Sequence, residues 1–125
     1  MEPKIPLVNG KSITLEMCRK YLGKTVTLTI DQPYGTTYKD TLYKENYGYV
    51  PNTLAPDGSG LDGYYLGEKA PLAEATGNCI AIIHRLEDDD DKLVLVPEGT
   101  SLTDEQIEAA VNYREKLFKH TIVRQ

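Results

Sequence analysis

The sequence predicts a small, mainly β domain of the α+β class: an antiparallel barrel or curled sheet with a C-terminal amphipathic helix packed on it. Three observations carry this. Segment 25–30, TVTLTI, alternates threonine with Val26, Leu28 and Ile30, the period-two pattern of a strand with one buried and one polar face. Segments 78–85, NCIAIIHR, and 92–97, KLVLVP, are apolar runs of the length of core strands. Segment 103–120, TDEQIEAAVNYREKLFKH, opens with Thr103 and Gln106 at capping-box spacing and repeats apolar residues at Ile107, Ala110, Val111, Leu117 and Phe118. Strands come first and the long helix last, the order of a sheet that is closed over by a helix.

The remaining elements follow in chain order. Segment 12–23, SITLEMCRKYLG, reads as a short helix capped by Ser12 or Thr14, with Leu15, Cys18, Tyr21 and Leu22 on one face and Gly23 as terminator. Pro33 and Gly35 in DQPYGT break the first strand. NYGYVP, 46–51, reads as a short strand bearing aromatic side chains, and the acidic run EDDDD, 87–91, as the hairpin loop between the two core strands.

A chain of 125 residues, 40% hydrophobic and 26% charged, suits a single domain spanning 1–125. The formal net charge of −5 argues against a nucleic-acid or anionic-membrane partner, both of which call for clustered lysine and arginine. Cys18 and Cys79 have no CxxC spacing, no apolar run approaches a membrane span, and no signal peptide is evident, which predicts a cytoplasmic protein. Nucleophile elbow, Walker loop and dinucleotide fingerprint are all missing from the sequence.

Two acidic segments hold the chemistry. In DGSGLDG, 57–63, Asp57 and Asp62 flank a tight turn, and alone they suit ordinary Asp-Gly turn chemistry. The run at 87–91 alone suits a solvated hairpin tip, where like charges are tolerated by exposure or by sharing a cation. If both segments meet at one end of the sheet, hard oxygen ligands accumulate there, which favours Mg²⁺ or Mn²⁺ over zinc. Lys92 follows at once, Tyr43, Tyr47, Tyr49, Tyr64 and Tyr65 lie upstream, and Tyr113 and Arg114 sit on the long helix. Cations and phenol hydroxyls beside a divalent metal suit a phosphate group. Nine tyrosines stand against one phenylalanine, so most of the aromatic surface keeps a polar end, although packing at a sheet edge accounts for many of them. His84 and His120 do not form a pair in this reading.

The stretch YKENYGYVPNTLAPDGSGLDGYYLG followed by DDDDKLVLVP resembles the soluble inorganic pyrophosphatases, whose fold is an oligonucleotide-binding-type barrel. The likeness runs over about 25–97 and is nearest to a compact group from bacteria and their phages. It implies that Asp57, Asp62 and Asp90 ligate the principal activating Mg²⁺, with Asp62 bridging to a second metal and Glu87 near the place of a further acidic ligand. It implies that Lys92 holds a substrate phosphate, that Tyr43 opens the tyrosine motif, and that Tyr113 with Arg114 fills the place of a Tyr-Lys pair. It also implies pyrophosphate as substrate and leaves a homo-oligomer open, since related bacterial enzymes form hexamers.

The chain departs from the family pattern at several places. Ser59 replaces the aspartate that orients and helps to deprotonate the attacking water, and a serine cannot serve as that base at neutral pH. Gly60 replaces a proline, Thr27 and Thr29 stand where the family has a Lys-x-Glu pair, and Gln32 stands where the compact group has an arginine, for which Lys39 is a nearby substitute. Asp88 and Asp89 are the sequence neighbours that could replace the missing base. Three functions are therefore compatible with the residues: a Mg²⁺-dependent pyrophosphate hydrolase with slowed turnover, a metal- and phosphate- or nucleotide-binding module without turnover, and a hydrolase of another phosphorylated substrate.

Overall fold

A computed structural model describes residues 5–125. Two helices, α1 (Ile13–Arg19) and α2 (Asp104–Glu115), accompany eight strands: β1 (Thr25–Gln32), β2 (Thr37–Tyr38), β3 (Thr41–Leu42), β4 (Asn46–Val50), β5 (Leu61–Tyr65), β6 (Glu74–Arg85), β7 (Lys92–Val96) and β8 (His120–Val123). The main sheet runs β1-β4-β5-β7-β6-β8, and β6 returns to pair with β1, which closes a five-stranded barrel. The oligonucleotide-binding-type barrel with a C-terminal helix is thus the observed architecture.

Strand alternation divides the apolar residues into two layers. Val26, Leu28 and Ile30 of β1, Val50 of β4, Leu61 and Tyr65 of β5, Cys79 and Ile82 of β6, and Leu93 and Leu95 of β7 form one cluster, drawn from all five barrel strands, and Cys18 of α1 packs into it. The intervening residues face outward, where Tyr47, Tyr64, Ala81, Ile83, Val94 and Val96 meet Ile107 and Val111 of α2. A residue on β5 or β7 therefore serves either the barrel interior or the α2 side, and Asp62, Tyr64 and Lys92 all fall on the α2 side.

Helix α1 takes Ser12 as its cap, the hydroxyl accepting from Leu15 N at 3.0 Å, and Gly23 lies beyond its C-cap, Lys20. Helix α2 has the capping box at Thr103 and Gln106. Gly48 is required by close approach, because a Cβ there would collide with the backbone carbonyl of Thr29 on the neighbouring strand.

The structure corrects the expected antiparallel order at one pair. β7 folds back from β6 and inserts between β6 and β5, so β5 and β7 run parallel, with Gly63 opposite Leu93 and Tyr65 opposite Leu95. Helix α2 stops at Glu115 instead of reaching His120. The β-branched residues after the stop, Thr121, Ile122 and Val123, extend along the part of β6 that overhangs β1, pairing with His84, Ile83 and Ile82, and His120 pairs with Arg85.

The acidic run does form the β6–β7 connection, but it is no solvated tip: Asp88, Asp89, Asp90 and Asp91 are all buried, and only Glu87 is exposed. Its side chains alternate. Asp89 and Asp91 turn toward α1. Asp89 accepts from Thr14 N at 2.7 Å, Ile13 N at 3.0 Å and Thr14 Oγ1 at 2.8 Å, while Asp91 accepts from Arg85 N at 2.9 Å and pairs with His84 Nδ1 at 2.8 Å. Asp88 and Asp90 turn the other way, toward Arg85 and Lys92. Satisfied hydrogen bonds, not solvent, make four adjacent carboxylates tolerable here.

Candidate active site

The loop before β5 is shaped by local turn chemistry. Asp57 Oδ1 accepts from Ser59 N at 2.9 Å, Ala55 N donates to Ser59 O at 2.7 Å, and Gly58 adopts a φ of +85° that favours glycine. Thr53 anchors the exit, its hydroxyl accepting from Leu61 N at 2.8 Å and donating to Val50 O at 2.6 Å. Asp62 then enters β5 opposite Tyr49 of β4.

Asp57, Asp62 and Asp90 come together, each offering one carboxylate oxygen within 4.8 Å of the others. Three oxygen donors without histidine or cysteine form the kind of set that suits a hard divalent cation. Lys92, wholly buried at the start of β7, donates from Nζ to Asp90 Oδ1 at 2.7 Å and to Asp62 Oδ2 at 3.0 Å. Burial alone would lower its pKa, but the charges of Asp62 and Asp90 outweigh that and raise it, so the ammonium stays charged.

Asp57 and Asp62 of the trio open on a cleft of about 420 Å³ that is lined also by Asp31, Tyr38, Lys39, Tyr43, Tyr47, Tyr49, Ser59 and Arg114, among others, while Asp90 is buried behind it. Arg114, on α2, stacks its guanidinium 4.6 Å from the Tyr47 ring centroid and donates from Nη1 to Tyr64 Oη at 3.0 Å. Burial lowers its pKa to about 10, which leaves it cationic at neutral pH. Tyr43 lines the same wall, and burial pushes its phenol up to about 12. The Tyr47 hydroxyl is buried and has no hydrogen-bond partner among the described residues.

Behind the cleft lies a network that sequence reasoning missed. Arg85 ends β6 fully buried and forks onto Glu115 of α2, Nε to Oε1 at 3.0 Å and Nη2 to Oε2 at 2.9 Å, while its Nη1 reaches Asp90 Oδ2 at 3.2 Å and Asp88 Oδ2 at 3.4 Å. Glu115 Oε2 also accepts from Tyr64 Oη at 2.6 Å. Burial would raise the Glu115 pKa, yet the hydrogen bond and charge of Arg85 outweigh it and hold the carboxyl at about 2. The clue in the sequence was an arginine ending an apolar strand one residue before the acidic run.

Other candidates stand apart. Glu87 is exposed and is not among the converging carboxylates. Tyr113 lines a separate depression beside Lys44, Glu45 and Lys69, not the cleft that Arg114 lines. Tyr65 faces the barrel interior. Asp88 is held by Arg85 and Asp89 by the first turn of α1, so neither is available to replace a base at Ser59. The histidines serve different neighbours, His84 pairing with Asp91 and His120 with Glu108 at 2.8 Å.

The family model described as Pyrophosphatase: Inorganic pyrophosphatase matches residues 8–123. The chain belongs to the inorganic pyrophosphatase family. Among solved structures, the inorganic pyrophosphatase of Helicobacter pylori is similar with a TM-score of 0.62 and 18% identity, over 81% of this chain and 85% of that one. The Thermus thermophilus inorganic pyrophosphatase covers 98% of this chain and 90% of its own at 16% identity and a TM-score of 0.60, and that of Neisseria gonorrhoeae reaches 22% identity over 76% of each chain at 0.57. No curated protein matches the sequence. At these identities the structures speak for the fold, while the family match identifies a pyrophosphatase-like hydrolase. Members of the family use a divalent metal, and no helix of the described residues is long and apolar enough to cross a membrane.

Proposed function

We propose that this pyrophosphatase-family member hydrolyses inorganic pyrophosphate with Mg²⁺ as the activating cation and Asp57, Asp62 and Asp90 as its ligands. The observation that carries the reading is the meeting of these three carboxylates, from two distant segments, beside a buried lysine and a polar cleft. Bound there, a divalent cation would lower the pKa of water and neutralise phosphate oxygens. Lys92 holds Asp62 and Asp90 at fixed spacing behind the cleft and neutralises their charge. Arg114 and Lys39 supply positive charge for the leaving phosphate, and the hydroxyls of Tyr43 and Tyr47 supply neutral donors. Glu87, outside the converging trio, and Tyr113, which lines a separate depression, have a weaker claim.

Turnover slower than that of a site carrying an aspartate at position 59 belongs to the same proposal, by about 10²- to 10⁴-fold if nothing takes its place. A cytoplasmic setting without a nucleic-acid partner is part of the reading too, supported by the net charge of −5. Phosphate release from pyrophosphate, measured with and without Mg²⁺ for the wild type and for Asp62→Asn, tests it. Metal-dependent release that the substitution abolishes is the expected result. Absence of metal-dependent release overturns it, and saturable pyrophosphate binding without release identifies a binding module instead.

A further inference from the structure

The pairing of β1 with β4 contains a β-bulge. Thr29 lies opposite Tyr49 and Ile30 opposite Gly48, but Gln32 lies opposite Tyr47, which leaves Asp31 as the extra residue. A bulge interrupts the ladder and re-aims a side chain, and bulges recur beside active sites. Asp31 lines the cleft that Asp57, Ser59 and Asp62 also line.

The other carboxylates near the cleft are engaged. Asp62 and Asp90 accept from Lys92, Asp57 accepts from Ser59 N, Asp88 is held by Arg85, and Asp89 and Asp91 serve α1 and His84. Asp31 is exposed in the cleft and, like Asp57, has no cationic side chain paired to it among the described residues, but unlike Asp57 it is not one of the converging candidate ligands. Desolvation, and then the charge of Asp62, raise its pKa above the ordinary carboxylate value, while hydrogen bonds from the backbone at Asp31 and Gln32 lower it in part.

We propose that Asp31 is the catalytic proton acceptor of this site, supplying from the bulge in β1 the carboxylate that the metal loop lacks at Ser59. The inference rests on the hydrolase reading above. A water molecule yields a proton to the Asp31 carboxylate as its oxygen bonds to one phosphorus. The bridging P–O bond breaks, and its electron pair leaves on the departing phosphate. The proton on Asp31 then returns to solvent through the open cleft.

The test compares the wild type with Asp31→Asn, Asp31→Ala and the double variant Asp31→Asn/Ser59→Asp, following phosphate release from magnesium pyrophosphate and, by calorimetry, Mg²⁺ binding without substrate. Asparagine keeps the shape of the side chain and its capacity to accept backbone hydrogen bonds. We expect kcat to fall by about 10²-fold or more in Asp31→Asn while Mg²⁺ affinity stays within about threefold, added formate to restore part of the rate of Asp31→Ala, and the double variant to regain activity. Activity of Asp31→Asn within about threefold of the wild type overturns the role, as does a loss of Mg²⁺ affinity that parallels the loss of rate. A wild type that releases no phosphate overturns the hydrolase reading first and the role of Asp31 with it, whereas an active wild type with an equally active Asp31→Asn overturns the role alone.

Discussion

Arg85 and Glu115 meet end to end through two hydrogen bonds of 3.0 and 2.9 Å, both side chains wholly buried, and the same guanidinium touches Asp90 at 3.2 Å. One fork thus ties α2 to the acidic connection that carries a candidate metal ligand. Planar bidentate pairing of this kind fixes orientation as well as distance.

Breaking the fork should be costly. Glu115→Ala leaves Arg85 buried without its main counter-charge and should lower the free energy of unfolding by about 3–5 kcal/mol, measured by urea denaturation. The companion Arg85→Met, which removes a buried cation and leaves Glu115 with only Tyr64 and the more distant Arg114, should also destabilise and weaken Mg²⁺ binding by loosening Asp90. A loss below about 1 kcal/mol in both would show that the pair does not constrain the fold.

The same pair predicts an acid-side dependence. The Glu115 carboxyl is held at about 2 in the fold, below its unfolded value of 4.5, so its contribution is present above pH 4.5 and is lost as pH falls toward 2. Asp88 and Asp91 have the opposite sign: burial raises both, so the fold binds their protons more readily and gains stability from them on acidification. The difference between wild type and Glu115→Gln isolates the first effect. That difference in unfolding free energy should shrink between pH 4.5 and 2, and a constant difference would refute the assignment.

Neighbours in the acidic run should separate in phenotype. Asp89→Ala removes three hydrogen bonds to the first turn of α1 and should cost about 2–3 kcal/mol of stability while leaving Mg²⁺ affinity unchanged. Asp90→Asn, at a candidate ligand, should weaken Mg²⁺ binding about tenfold or more in calorimetry. Equal effects of both substitutions on metal affinity would contradict the division of labour.

Lys92 neutralises Asp62 and Asp90 when no cation is bound. Lys92→Met should destabilise the metal-free protein by about 2–4 kcal/mol, and millimolar Mg²⁺ should recover part of that, read as a rise in Tm. Pyrophosphate turnover should fall about 10²-fold even with metal present. A variant equally stable with and without Mg²⁺ would argue that the cation and the lysine do not serve the same carboxylates.

The legible parts of the fold are those whose apolar residues form a clean period or an unbroken run. β1 and the start of α2 show clean periodicity, β6 and β7 are apolar runs, and all four stand where the sequence puts them, although β6 begins earlier than its apolar run, at Glu74. β5 was hidden because LDGYY serves two masters: Leu61 and Tyr65 fill the barrel while Asp62 and Tyr64 face α2, so no apolar alternation is visible. β8 was hidden because its residues follow a helical pattern without a break strong enough to end it, and their pairing with β6 is a tertiary choice. At the site, DGSGLDG and DDDDK could be read as motifs, since the ligand types and their order are local. Arg85 and Glu115 lie 30 residues apart and Asp31 owes its position to a strand register, neither of which a linear pattern expresses.

The alternation of the acidic run has a consequence for how this segment can vary. Asp89 anchors the first helix and Asp91 holds His84 and the Arg85 amide, while Asp88 and Asp90 attend the Arg85 guanidinium and Lys92, so the stretch behaves like a reading frame in which parity matters more than composition. Swapping one acid for another at a single position alters one contact, but deleting or inserting one residue exchanges the two sets of partners at once. A one-residue change of length should therefore disturb this connection more than a substitution at any one of its positions.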